Sequence, residues 1–213
     1  QLEGNIAEQE PLPNHVNPYF YGINGSMEIC GAGVCYLFSK TIDKNNKDLA
    51  IYAIMGALGD LQNKGKKGTF LGINKQILQD AIEAGGIKTE TNLAIARNDP
   101  IAKALAYTLN EKIPGISGDE IASHNFLEGK NIRTTTELDE QRTLLDLSER
   151  EKKTLNTGLV QYAIIEQGMD AAIMNKLITT NYIFQKMNFN GHLADGKELR
   201  KLLNACGRTN NPS

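Results

Sequence analysis

The chain has 213 residues, with 23 Lys and Arg against 25 Asp and Glu and a net charge of -2. That length can bury a sizeable core in one large domain or two small ones. The balance of charge excludes a strongly basic nucleic-acid coat and leaves room for a local basic groove. The three cysteines are scattered and form no Cys-x-x-Cys pair, which fits a reducing, cytoplasmic setting and no zinc site. No apolar run is long enough to span a membrane, and no signal peptide opens the chain. The sequence starts at Gln1 and stops at Ser213 in stretches that read as interior loop, so a fragment of a longer protein is expected.

Residues 1–14 read as loop, with Gly4, Pro11 and Pro13 and little periodicity. His15 to Pro18 should be extended, because the residue before a proline is pushed to β or polyproline geometry. Gly22 to Gly25 reads as a turn. A helix is predicted over about Ile29 to Lys40, with Gly31 and Gly33 in its first turn. Those glycines either offer free amides to an anion or pack the helix tightly against a neighbouring strand.

Asp43 to Asp48 reads as a polar turn, with Asp48 as the N-cap of the next helix. That helix, Leu49 to Gln62, organises the reading. Ile51, Ile54, Met55, Leu58 and Leu61 recur at helical spacing, and Asp60 falls inside the apolar face beside Gly56 and Gly59. A carboxylate there is costly unless a positive or hydrogen-bonding group meets it. The flexible cationic stretch Asn63 to Gly68 follows, with Lys64, Lys66 and Lys67. A buried acid next to a basic glycine loop suggests a metal beside a phosphate; the alternative is an aspartate that caps or bridges helices, followed by a solvated loop.

Further on, a helix from about Asn74 through Ala84 ends at Gly85-Gly86. Ile87 to Thr91 is a short strand. Pro100 is expected at the first position of a helix over Ile101 to Tyr107, and Ile113 to Gly118 is a loop. Asp119 opens a helix ending at Gly129, and Asn131 to Asp146 is a polar connector. Ser148 and Glu151 form a capping box for the longest helical pattern, about Glu149 to Gln167, read as a bridge between two lobes. Ile178 to Lys186 is a strand, and Gly196 to Cys206 a helix ended by Gly207 with Arg208 behind it. His15, His124 and His192 lack metal-ligand spacing and read as surface or packed histidines.

Several ordered stretches resemble the DHH phosphoesterase superfamily, and most of all its archaeal RecJ-like nucleases. They are Val16-Asn-Pro18 through Gly22-Ile-Asn-Gly25 and Glu28 to Val34; Met55 to Gln62; Gly72 to Gly85; Ile113 to Glu120; and Leu202 to Arg208. The resemblance implies an α/β fold, mostly helical here: the C-terminal part of a DHH lobe over 1–110, a helical connector over 111–175 and the start of a DHHA1 lobe over 176–213. It implies two divalent metals, usually manganese, which would polarise a phosphate and supply a hydroxide. Asp60 falls on the family's fourth motif, whose aspartate is a metal ligand and so catalytic. Lys64, Lys66, Lys67, Asn204 and Arg208 become substrate-binding candidates. Single-stranded DNA or short RNA is the implied substrate, in replication or repair. The family's Asp-His-His motif is absent, as are its Asp-x-Asp and the lone aspartate between them, and Cys30 stands where serine is usual. One ligand cannot hold two metals, so this piece alone should be catalytically inactive. A second reading from the same resemblance is a non-catalytic replisome module in which the helices between Asp99 and Gln167 dock the GINS complex. A third, a soluble helical domain, explains the periodicities but not the ordered motifs.

Overall fold

The computed structural model describes residue 13, residues 15–186 and residues 194–208. The expected loop over 1–14 and His192 lie outside those residues, apart from residue 13. The fold is α/β and mostly helical. By internal packing the chain forms two compact units, one from residues up to Glu90 together with those from Asn181 onward, the other from Thr91 to Thr180.

In the first unit Asn17 is extended and caps a short 3-10 turn, Pro18–Tyr21. Gly22 follows at a φ of 69°. The first helix, α1, runs Gly31–Ile42. It is followed by a 3-10 stretch, Lys44–Leu49, capped by Asp43, whose side chain accepts from the Asn45 amide. Asp48 is therefore not the cap of the next helix: α2 covers Ala50–Gly59, and Leu49 precedes it with no side-chain cap bond. The turn supplies the continuity that a cap would otherwise provide. Helix α2 is the centre of the unit, burying Ala50, Ile51, Ala53, Ile54, Ala57 and Leu58. Helices α1, α3 (Gly72–Glu83) and α8 (Gly196–Arg208) all pack on it. Gly207 does not end α8, which runs one residue beyond it to Arg208.

The α1–α2 crossing is set by glycine. A Cβ at Gly56 would stand 2.7 Å from the Cβ of Ala32, and one at Gly33 would stand 2.8 Å from Ile29 and 3.2 Å from Ile77. Gly33 thus serves close packing, against α3 rather than a strand. Two strands, β1 (Ile87–Leu93) and β2 (Ile178–Phe184), pair with each other. The Gln185 amide donates to Gly86 O (2.9 Å) and the Ala94 amide to Leu177 O (2.7 Å), so they run antiparallel.

The second unit has its own core, which includes Leu93, Ile101, Leu105, Ile113, Ile116, Leu127, Leu155 and Leu159. Helix α4 spans Ile101–Tyr107, with Pro100 as its N-cap rather than its first residue. It packs on α5, Glu120–Gly129. The Asp119 side chain caps α5 by accepting from the Ala122 amide at 2.9 Å. Helix α6, Glu149–Gln161, opens on the expected capping box. It is shorter than its hydrophobic pattern, because residues Tyr162–Glu166 continue as one π turn. The short α7, Met174–Leu177, leads into β2. His124 is held by Thr134 (3.0 Å), and His15 is exposed.

Candidate active site at the end of helix α2

Helix α2 ends by a Schellman arrangement: the Leu61 amide donates to Leu58 O (3.1 Å) and the Gln62 amide to Ala57 O (2.9 Å). The pivot is Leu61 at a φ of 57°, a left-handed position that glycine normally fills and that costs other residues roughly 1–2 kcal/mol. Asp60 is the C-cap, its amide bonded to Gly56 O at 2.9 Å. Its side chain is exposed, not lodged in the apolar stripe. The Schellman turn rotates residue 60 off the buried face, a change of direction that helical spacing carried past Gly59 does not register. Among the described residues, no hydrogen bond or ion pair engages its carboxylate.

The surroundings of Asp60 are ordered. Cys30, the N-cap of α1, accepts from the Gly33 amide (3.4 Å) and donates to Ala53 O on α2 (3.6 Å). Burial pushes the Cys30 thiol up, and the charge of Asp60 adds to that; Gly56, one turn before Asp60, packs against Cys30 and Ala32. The Gly33 amide is therefore taken by Cys30 itself, while Gly31 and Ala32 are exposed. From α8, the Asn204 side-chain amide donates to Gly59 O at 3.2 Å. Asn204 thus covers a carbonyl at the end of α2, one residue from Asp60. Arg208 is exposed at the last residue of α8.

The basic stretch is not a flexible loop. The Gly65 amide donates to Thr69 O (2.8 Å) and the Gly68 amide to Gly65 O (3.0 Å), closing a short 3-10 turn over Lys66–Gly68. Lys67 sits there at a φ of 55°, and the Tyr182 hydroxyl of β2 donates to Gly68 O at 2.9 Å. Lys64 and Lys66 are exposed and Lys67 is half-buried.

Sequence reasoning missed the residues that hold this end of α2. Gln62 is only 2% exposed and Asn74, in the first turn of α3, is fully buried. Asn74 Nδ2 donates to Gln62 Oε1 (2.6 Å), and Gln62 Nε2 donates to Gly25 O (2.9 Å). This relay joins the Gly22–Gly25 turn, the end of α2 and the start of α3. Both residues lay inside the quoted stretches, but a polar residue beside a helix end carries no sign of burial in its sequence. Among the described residues, Asn74 Oδ1 has no hydrogen-bond partner.

Among the described residues, no group of three His, Cys, Asp or Glu side chains could hold a metal ion. Asp60 can supply one oxygen ligand of the hard type that manganese accepts, and the residues around it do not complete a site. What the end of α2 does present is an exposed carboxylate at Asp60, followed along the chain by lysines on a hydrogen-bonded turn. No described helix is long and apolar enough to cross a membrane.

Comparison with known proteins places this unit and the second one in context. The DHH-CID domain model matches residues 96–178, all inside the second unit. An uncharacterized protein of Methanocaldococcus jannaschii is similar to this chain, 31% identical over 194 residues. The match covers 91% of this chain, which spans only 38% of the length of that relative.

Proposed function

From the DHH-CID match over residues 96–178, we propose that this chain is part of a metal-dependent phosphodiesterase, a RecJ-like nuclease acting on single-stranded DNA or short RNA. Asp60 contributes one ligand to a divalent metal, manganese being the expected ion, and the remaining ligands lie outside the described residues. The single observation that carries the reading is the packing of Gly56 on Ala32 and Cys30, which sets the start of α1, with Gly31 and Ala32 exposed, against α2 one turn before the exposed Asp60. A cation on Asp60 would let a phosphate approach that helix end, which favours negative charge. Lys64, Lys66, Lys67 and Arg208 would offset phosphate charge. Asn204 acts by holding Gly59 and so the direction of Asp60. The strained Leu61 fits a position kept for function.

The test is cleavage of a labelled single-stranded oligonucleotide by the longer protein in manganese, comparing wild type with Asp60→Asn. A loss of at least a hundredfold in kcat with folding unchanged supports the assignment; full activity in the variant overturns it. The second reading is a non-catalytic module that docks the GINS complex through the helices between Asp99 and Gln167. It is favoured by the exposure of Ile121 (75%) and Leu138 (83%) in this stretch. Binding of purified GINS that is lost in Ile121→Asp, with no nuclease activity in the longer protein, would select it.

A further inference from the structure

We propose that the second unit carries its own binding groove for the phosphate backbone of a single-stranded nucleic acid, along α6, independent of Asp60 and of any metal. The groove has a volume of about 350 Å³. It is lined by Lys130, just past α5, and by Arg150, Lys153, Thr154, Thr157, Gly158 and Gln161 of α6. Residues 150, 154, 157 and 161 follow helical spacing and form one face. From Arg150 to Gln161 that face is about 16 Å long at 1.5 Å per residue, room for a few nucleotides of an extended strand.

The charge in it is uncompensated. No carboxylate lines the groove. The acids that begin α6 are engaged elsewhere: Glu149 with Lys152 (2.9 Å) and Glu151 with both guanidinium nitrogens of Arg142 (2.9 and 3.0 Å). Among the described residues, neither Arg150 nor Lys153 has an ion pair, and Lys130 lies over the Phe126 ring at 5.6 Å. In a chain of net charge -2 this is a local concentration of positive charge.

The remaining lining is also suited to a phosphate chain. Two hydroxyls and one side-chain amide can donate to phosphate oxygens between the cations. Gly158 keeps the floor low: a Cβ there would stand 3.1 Å from Lys130 Cε, so any side chain would press on that lysine. A peptide helix would need pockets for apolar anchors, and the groove is lined by no Leu, Ile, Val or aromatic residue. An extended polyanion needs none.

The experiment uses the 213-residue chain in EDTA, with a fluorescein-labelled single-stranded thymidine oligonucleotide as the probe and anisotropy as the readout. The charge-reversed variant Lys130→Glu/Arg150→Glu/Lys153→Glu should bind at least tenfold more weakly. Its salt dependence should flatten by about 2 in the log–log slope, as expected for three lost contacts to a single strand. A control reversal elsewhere, Lys44→Glu/Lys103→Glu/Lys112→Glu, should change the affinity less than threefold. If the first variant misfolds by circular dichroism, Arg150→Glu/Lys153→Glu keeps the Lys130–Phe126 contact and gives the same reading. A change under threefold in the groove variant, or an equal loss in the control, overturns the proposal. Displacement of the oligonucleotide by polyglutamate of matched charge at equal affinity also overturns it and assigns the groove to an acidic peptide. Because Asp60 is intact and no metal is present, these outcomes are separate from the fate of the nuclease reading.

Discussion

Gln62 and Asn74 show how much one buried amide can control. Gln62 both accepts from the Asn74 side chain and donates to Gly25 O, so Gln62→Leu would leave the buried Asn74 donor unpaired and take the side-chain donor from the half-buried Gly25 O. An unpaired buried donor costs about 1–3 kcal/mol, and urea denaturation should show a drop of at least that size. Leu61→Gly works in the other direction. The left-handed φ of 57° favours glycine and Leu61 is 48% exposed, so the variant should be more stable by about 0.5–1 kcal/mol. Both residues adjoin Asp60, and neither effect is legible from hydropathy. The apolar period shows that α2 exists. It cannot show where the chain leaves the helix axis, and that departure decides whether Asp60 is buried or exposed.

Among the elements, α6 has the most explicit start. Arg142 holds the Glu151 carboxyl down to about 2, aided by the Ser148 amide and hydroxyl. The ordinary value is 4.5, so the folded state keeps the charged form more strongly than the unfolded chain does. Its contribution is present above pH 4.5 and is lost as pH falls toward 2. Acid unfolding of Glu151→Gln should therefore lose this part of its pH dependence between those limits, at a cost in stability at pH 7. This capping box was readable from Ser148 and Glu151 alone, since its geometry is local. The α1–α2 crossing was less so. Gly56 could have served an ion, but it admits Ala32, and Gly56→Ala should destabilise by about 1–3 kcal/mol through overpacking. Spacing identifies a helix and its small residues; it does not name what approaches them.

For the whole molecule, the chain runs out along β1 and returns along β2, a pairing across more than eighty residues that no local pattern announces. The DHH-CID match over 96–178 falls where the core of Leu93, Leu105, Leu127, Leu155 and Leu159 closes on itself. Residues 86–185, which retain both strands, should fold alone with a cooperative urea transition; a gradual, featureless loss of helical signal would contradict that. The first unit holds the other half of the account, because there Asp60 closes α2, Asn204 covers Gly59 O and Cys30 ties the start of α1 to Ala53 O. The claim that Asp60 serves phosphodiester chemistry is tested most directly by anomalous scattering from manganese in crystals of the protein grown with that ion. The account predicts a manganese peak within about 2.5 Å of the Asp60 carboxylate. A fully ligated metal elsewhere, with no manganese at Asp60, would contradict it.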